Sequence, residues 1–169
     1  STILKNTKSR QLLYAPVVVS TIDHLMPATE STAGGKHILP MLRLMSADLV
    51  IDEVDDFDQS DMPAIARLVH LTGMLGRKLM ISSATIPPAV AEGLFQAYQA
   101  GWTLFANSRK RQTEVTAFWL DEFGAQVDLM SDSAAFQQTH QTFVTKRLRA
   151  LAREQAKRKA LIQAIERLP

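Results

Sequence analysis

The chain has 169 residues, of which 46% are apolar and 21% charged, with a net charge of +2 and no cysteine. This composition is typical of a soluble globular domain, and the lack of cysteine excludes disulfides and thiolate metal sites. No apolar run approaches the roughly 20 residues of a membrane span and no signal-peptide pattern is present, so we expect a cytoplasmic protein without a membrane partner. The sequence begins at Ser1 rather than methionine, and we expect it to be part of a longer polypeptide.

Apolar runs predict an alternation of strands and helices in the first part of the chain. Residues 15–22 (APVVVSTI) predict a buried strand, because the run is β-branched and ends in polar residues. Residues 38–45 have helical spacing, with Pro40 in the first turn, where proline is tolerated. Residues 47–52 (ADLVID) predict a second buried strand.

The same alternation continues to the end of the chain. Residues 60–76 predict a helix, because Ser60 and Asp61 can cap its start and Gly76 can end it. The remaining predicted elements are a third strand at 77–85, a helix at 87–101, a fourth strand at 113–120 and a long helical stretch at 133–168.

This element order predicts the α/β fold class: a parallel sheet flanked by helices, with a long helical C-terminal segment. The strands are continuous apolar runs, as expected for strands buried on both faces of a sheet. Ligand sites in such sheets lie outside the carboxyl ends of the strands. We therefore expect the polar residues that end the strands, at 20–21, 52–53 and 82–85, to lie along one edge.

Asp52 and Glu53 directly follow an apolar run, and two carboxylates there can hold a hard cation and a water. Mg²⁺ prefers oxygen ligands and commonly takes one carboxylate, while waters and phosphates supply the rest. In nucleotide hydrolysis on such a sheet, the aspartate holds Mg²⁺ and a neighbouring acid orients the attacking water. Asp55 is placed to bond hydroxyls at the end of the next strand. The alternative is a solvated acidic loop before a helix.

The sequence SSAT at 82–85 follows the third predicted strand, about 30 residues after the acidic group. Alone, it is typical of a Ser/Thr turn before two prolines. Together, DEVD (52–55) and SAT (83–85) resemble motifs II and III of superfamily 2 helicases. Motif I of those helicases, the phosphate-binding G-x-x-x-x-G-K-[ST], does not occur in this chain.

Longer stretches resemble the helicase–nuclease of type I CRISPR systems, and within it the I-F subtype. The similarity covers nearly the whole chain, and TIDHL at 21–25 stands where the family has a motif before its DExD box. The resemblance implies that residues 1–130 are a partial first RecA-like lobe and that residues 131–169 are a basic helical linker leaving it. The stretches that carry it are 19–58, 68–90, 117–124 and 136–148.

The resemblance implies an ATP-driven motor that pulls one DNA strand toward a metal-dependent nuclease. Asp52 would bind Mg²⁺ and Glu53 would polarise the hydrolytic water, so both would be catalytic. The implied cofactors of the complete parent are ATP and Mg²⁺. Its implied partners are single-stranded DNA, the guide-RNA surveillance complex, and the parent's second RecA-like lobe and nuclease domain. The residues that would couple nucleotide state to strand movement are Asp55, Ser83, Ala84 and Thr85.

Two groups of residues are candidate nucleic-acid contacts. By resemblance, Thr21 and His24 would lie near the DNA backbone, where such contacts position a strand without reading its sequence; His24 is more often structural. Residues 146–167 hold eight Lys or Arg against two Glu, and this basic cluster includes Arg147 and Arg149. Such a cluster can contact nucleic acid, although a solvated basic helix face is the commoner case.

The sequence also departs from a complete helicase–nuclease. It contains no His-Asp dipeptide, and its four histidines show no metal-ligand spacing, so we do not expect the nuclease domain in this chain. Without a phosphate loop, the chain alone is not expected to hydrolyse ATP. The alternative function is therefore a non-catalytic docking or nucleic-acid-binding module of the same parent.

Overall fold

The structure is a computed structural model that describes residues 7–30 and 35–154. Its elements alternate between helices and short strands, with one-turn 3-10 helices at Ile22–His24 and Val54–Asp56. None of the helices in these residues is both long and apolar enough to cross a membrane. The main elements are α1 (Thr7–Tyr14), α2 (Pro27–Glu30), α3 (Ile38–Ser46), β1 (Leu49–Asp52), α4 (Met62–Met74), β2 (Leu79–Ser82), α5 (Pro88–Ser108), β3 (Val115–Asp121), β4 (Gly124–Met130) and α6 (Ser133–Leu151).

Strands β1 and β2 form a parallel pair, in which Leu49 lies opposite Leu79 and Asp52 opposite Ser82. Helix α4 connects them, as the sequence predicts, so the α/β class is confirmed. The predicted burial of the strands on both faces is not confirmed, because Val50 is 60% exposed, whereas Leu49 and Ile51 are buried. A strand alternates its side chains between two faces, and helices of the described residues cover one face only.

The predicted fourth strand is present, but it does not join the parallel pair. β3 and β4 form a separate antiparallel hairpin, and β4 was not predicted. The turn between them is stabilised by Asp121, whose Oδ1 accepts hydrogen bonds from the amides of Phe123 and Gly124 at 2.8 and 2.9 Å. A short turn allows only antiparallel pairing, because parallel strands need a crossover connection.

Residues 15–22, predicted as the first strand, form no strand in the structure, so this prediction is wrong. Val17 and Val19 are 75% and 94% exposed rather than packed in a core. Arg43 holds the segment instead, by donating a 2.7 Å hydrogen bond to the carbonyl oxygen of Ala15. A β-branched run becomes a strand only beside another strand that pairs with its backbone, and none of the described strands lies there.

Two apolar clusters share helix α5. The first packs α3, α4 and α5 against the parallel strands and includes Ile65, Leu68 and Leu94. The second packs the hairpin against α5 and α6, where the rings of Phe95 and Phe136 stack with centroids 4.2 Å apart. Because α5 contributes to both clusters, it joins the hairpin and α6 to the parallel sheet.

Helix α6 begins at Ser133, as predicted, and its first turn is capped. The Asp132 carboxylate accepts a 2.8 Å hydrogen bond from the amide of Ala135, which satisfies a backbone donor at the helix start. The predicted helical stretch reaches 168, but its part beyond residue 154 lies outside the described residues, as do four of the eight basic residues of the predicted cluster. Within the described residues, helix α6 ends at Leu151.

Candidate active site at the sheet edge

The carboxyl ends of β1 and β2 bring together the two predicted motif segments, here called the DEVD loop (52–55) and the SAT loop (83–85). Asp52 and Ser82 are register partners in the parallel ladder. One residue further on, the Glu53 amide donates a 2.7 Å hydrogen bond to the Ser82 carbonyl oxygen. Parallel pairing therefore places the loops side by side at the edge where ligands bind in such sheets.

Asp55 ties the DEVD loop to the SAT loop. The hydroxyl of Ser83 donates a short hydrogen bond to one carboxylate oxygen of Asp55, and the hydroxyl of Thr85 lies 3.4 Å from the other. The predicted bond between Asp55 and the hydroxyls of the next strand end is thereby confirmed. These bonds favour the charged carboxylate, so the pKa of Asp55 is lowered, chiefly by Ser83.

Glu53 has a backbone conformation that non-glycine residues rarely adopt. Its φ and ψ of 54° and 53° lie in the left-handed region, and such residues concentrate at functional sites. Its side chain is exposed, and its pKa is raised, first by a hydrogen bond with the Asp56 side chain and then by the charges of Asp56 and Asp52. Glu53 is therefore a carboxylate that holds a proton more tightly than an isolated glutamate.

The Mg²⁺ that the resemblance implies can be tested against the residues at this edge. The described residues contain no group of three or more His, Asp or Glu placed to enclose a metal ion. Asp52 is exposed at the end of β1 and offers a carboxylate without an enclosing cage. This suits Mg²⁺, which usually takes one or two carboxylates and keeps waters and substrate phosphates as its other ligands.

The SAT loop is also contacted by helix α6, through residues that the sequence did not identify together. Arg147 of α6 donates a 3.1 Å hydrogen bond from Nη1 to the carbonyl oxygen of Ala84. Its Nε lies 3.2 Å from the carboxylate of Glu122, in the hairpin turn. Arg147 was predicted to contact nucleic acid; in the structure its guanidinium makes these intramolecular bonds, and its side chain remains 34% exposed. No sequence spacing indicates a contact between residues 63 positions apart.

The other predicted nucleic-acid contacts lie apart from these bonds. Thr21 and His24 are exposed at the 3-10 turn before α2, and no hydrogen bond of the described residues joins their side chains to the DEVD or SAT loops. Thr21 does not end a strand, so that part of its prediction is wrong. Arg149 is exposed on α6.

The fold and this edge together define an α/β protein in which helicase-type motifs II and III lie side by side. No protein-family model matches the chain. It is 47% identical, over 159 residues and 92% of its length, to the CRISPR-associated nuclease/helicase Cas3 subtype I-F/YPEST of Pseudomonas aeruginosa. Over 148 residues, 86% of its length, it is 47% identical to the protein of the same name from Pectobacterium atrosepticum.

The chain is therefore a homologue of a segment of the subtype I-F CRISPR nuclease/helicase Cas3, which confirms the resemblance found in the sequence. It spans 15% and 14% of the lengths of these two relatives.

Replacing Ser83 by alanine is expected to raise the pKa of Asp55 toward its ordinary value, because the Ser83 hydroxyl is the main cause of its lowering. A lowered carboxylate pKa adds stability above the unfolded pKa and loses it as pH falls through the folded pKa. In Ser83→Ala, the free energy of unfolding should therefore fall less steeply as the pH drops below the ordinary pKa of an aspartate. NMR titration of the Asp55 side-chain carbon measures the shift.

Ser60→Ala is the matched control for this titration. Ser60 donates a 2.6 Å hydrogen bond to Asp58 and is the main cause of the lowered pKa of that residue. This variant should raise the pKa of Asp58 and leave Asp55 unchanged. An Asp55 pKa that stays low in Ser83→Ala would contradict the assigned cause.

Proposed function

We propose that this chain is part of an ATP-dependent DNA helicase–nuclease, and that the complete protein translocates on and degrades target DNA in CRISPR interference. Residues 1–130 would be a partial first RecA-like lobe and residues 131–169 the helical linker that leaves it. The observation that carries the proposal is the hydrogen bonding of Asp55 to Ser83 and Thr85, which joins the two helicase-type motifs.

Asp52 and Glu53 have separate roles in this proposal. Asp52 would bind Mg²⁺, which neutralises charge on the nucleotide phosphates when bound. Glu53 would orient the water that attacks the terminal phosphate and accept its proton. The raised pKa of Glu53 supports this role, because a carboxylate with a higher pKa is a better proton acceptor.

Asp55 would couple nucleotide state to strand movement. Both of its carboxylate oxygens are engaged by the SAT loop, through Ser83 and Thr85, while its backbone belongs to the same loop as Asp52 and Glu53. A displacement of the DEVD loop on nucleotide binding or release would therefore reposition Ser83, Ala84 and Thr85. These three residues are the proposed relay toward the DNA.

The ATP and DNA sites would be completed by other parts of the protein. The phosphate-loop motif does not occur in these 169 residues, so ATP binding is proposed for the complete protein only. The proposed partners are single-stranded DNA, the guide-RNA surveillance complex, a second RecA-like lobe and a nuclease domain. Thr21, His24 and Arg149 are exposed and would contact the DNA backbone.

A docking module is the second candidate function, and the outer face of the hairpin favours it. Four apolar side chains on this face are more than half exposed, which suits packing against another protein surface. The four are Phe118, Leu120, Val127 and Leu129, at 60%, 66%, 58% and 61% exposure.

ATP turnover by the complete protein decides between the two functions. It should be measured with and without Mg²⁺ and single-stranded DNA, for wild type and Asp52→Asn. Turnover that requires Mg²⁺, rises with DNA and falls in Asp52→Asn would support the motor. Wild-type protein that binds the surveillance complex without hydrolysing ATP would favour the docking module.

Replacing Arg149 by glutamine is expected to weaken binding of single-stranded DNA and to reduce its salt dependence. Removing one contact with a phosphate should lower the slope of log affinity against log salt by about 0.7. The measurement is a fluorescence titration of the complete protein with labelled single-stranded DNA at several salt concentrations. Arg111→Gln, in the exposed loop after α5, is the matched control. Equal slopes in wild type, Arg149→Gln and Arg111→Gln would contradict a contact between Arg149 and a phosphate.

A further inference from the structure

Arg147 connects two segments that are distant in the chain and different in structure. Its Nη1 donates to the carbonyl oxygen of Ala84 at 3.1 Å, in the middle of the SAT loop. Its Nε and Nη2 lie 3.2 Å from the two carboxylate oxygens of Glu122, in the turn between β3 and β4. The guanidinium group is planar and stays charged, so it fixes the distance between the groups it bonds.

The SAT loop is consequently held by residues of two separate elements. Asp55 accepts hydrogen bonds from the hydroxyls of Ser83 and Thr85, and Arg147 donates to the carbonyl of Ala84 between them. One set of bonds comes from the loop that carries the proposed catalytic carboxylates. The other comes from α6, which lies outside the parallel sheet.

Helix α6 and the hairpin form a unit that supports Arg147. Two helical turns before it, on the same face of α6, His140 is buried and accepts a 3.2 Å hydrogen bond from the indole of Trp119 in β3. Burial lowers the pKa of His140, and the backbone of Ile86, directly after the SAT loop, partly offsets this shift. The His140 ring therefore lies near the chain that leaves the SAT loop.

We propose that Arg147 is a positioning residue that holds the SAT loop against the DEVD loop, and that it transmits movement of the α6–hairpin unit to the proposed ATP site. The second half of this proposal, the transmission of movement to the ATP site, rests on the proposed function above. The assignment gives Arg147 a role different from the predicted DNA contact, because three of its donors bond Glu122 and Ala84 within the protein. Glu122 is the partner that orients its guanidinium.

The test compares Arg147→Met with Arg147→Lys and Glu122→Gln in the complete protein. Methionine keeps an unbranched apolar side chain but removes all donors, whereas lysine keeps the charge as a single point donor. Arg111→Met is the control, because Arg111 is exposed in the loop after α5. Two quantities are measured: amide hydrogen exchange in a peptide covering 82–88, and ATP turnover with and without single-stranded DNA.

Arg147→Met should speed amide exchange in this peptide, while exchange in α4 and α5 stays at the wild-type rate. DNA-stimulated turnover should fall roughly tenfold, within the usual range of coupling between sites, with the KM for ATP little changed. Arg147→Lys and Glu122→Gln should give smaller effects of the same kind. A role in overall stability alone would instead raise exchange throughout the chain.

Wild-type exchange at the SAT loop in Arg147→Met, or a uniform rise across the chain, would overturn the positioning role. A reduced salt slope for DNA binding together with unchanged exchange would return Arg147 to the DNA contacts and also overturn it. Wild-type protein without ATP turnover would refute the proposed function, and the exchange measurement would still decide the positioning role.

Discussion

Glu53→Gln is expected to lower the rate of ATP hydrolysis in the complete protein by roughly 100-fold or more, while nucleotide binding is retained. The size of the effect is that of removing a general base. Glutamine keeps the shape of the side chain and one acceptor oxygen, but it cannot accept a proton from the attacking water. A loss in the chemical step with unchanged binding identifies a group that acts in the transition state.

The acidic surroundings of Glu53 provide an internal check on this variant. Its pKa is raised by the hydrogen bond with Asp56 and by nearby carboxylate charges, so the folded state disfavours its ionised form. This shift stabilises the folded state below the unfolded pKa of Glu53, and the stabilisation is lost as the pH rises through the folded pKa of Glu53. Glu53→Gln should therefore raise the unfolding temperature at neutral pH and not in acid.

Single-turnover hydrolysis and titration with a fluorescent nucleotide separate the chemical step from binding. Glu114→Gln, in the loop before β3, is the control, with turnover expected at the wild-type rate. A variant that hydrolyses ATP normally would remove Glu53 from the mechanism. Asp56, which hydrogen-bonds Glu53, would then be the next carboxylate to test.

The elements that the sequence predicts well are those whose signals are local. Strand β1 follows from an apolar run, and helix α4 from its apolar spacing and from Gly76, which has the left-handed backbone of a helix end; the predicted cap is wrong, because the Asp61 side chain makes no capping hydrogen bond. Residues 15–22 have an equally good strand composition and form none, because composition cannot supply a neighbouring strand. Strand β4 was not predicted. Its mixed polar and apolar residues form a strand only because the turn at Asp121 provides them with a strand partner.

The candidate site divides in the same way. The bond between Asp55 and Ser83 was predictable, because parallel strand ends meet at one edge and both segments carry recognisable motifs. The left-handed backbone of Glu53 was not predictable, because no glycine marks the position. The hydrogen bond from Arg147 to Ala84 depends on how α6 packs against the hairpin, which is long-range packing that no local pattern encodes.

Gly101→Ala is expected to destabilise the chain by about 3 kcal/mol, as overpacking at a rigid contact does. Helices α4 and α5 approach so closely that a Cβ on Gly101 would overlap the carbonyl oxygen of His70 and lie 2.8 Å from the amide nitrogen of Met74. Both contacts are backbone atoms, which cannot move aside as a flexible side chain can. The helices would have to separate.

Gly93→Ala, on the same helix α5, should have the opposite effect. A Cβ at this position meets no atom within 4 Å, so the only change is the replacement of glycine by a better helix former. This should stabilise the chain by roughly 0.5–1 kcal/mol. Urea unfolding of the two variants and wild type measures the difference, and equal stabilities would contradict the close approach of the helices.

The helix pair also connects stability to the site. Helix α4 follows the DEVD loop and leads to β2, while α5 begins three residues after the SAT loop, at Pro88. Separation of the helices at Gly101 would therefore move the two loops relative to each other and lengthen the bonds of Asp55. NMR titration of Gly101→Ala should then show the Asp55 pKa rising toward its ordinary value, as in Ser83→Ala, whereas Gly93→Ala should leave it low. An Asp55 pKa unaffected by Gly101→Ala would mean that the sheet alone holds the loops together.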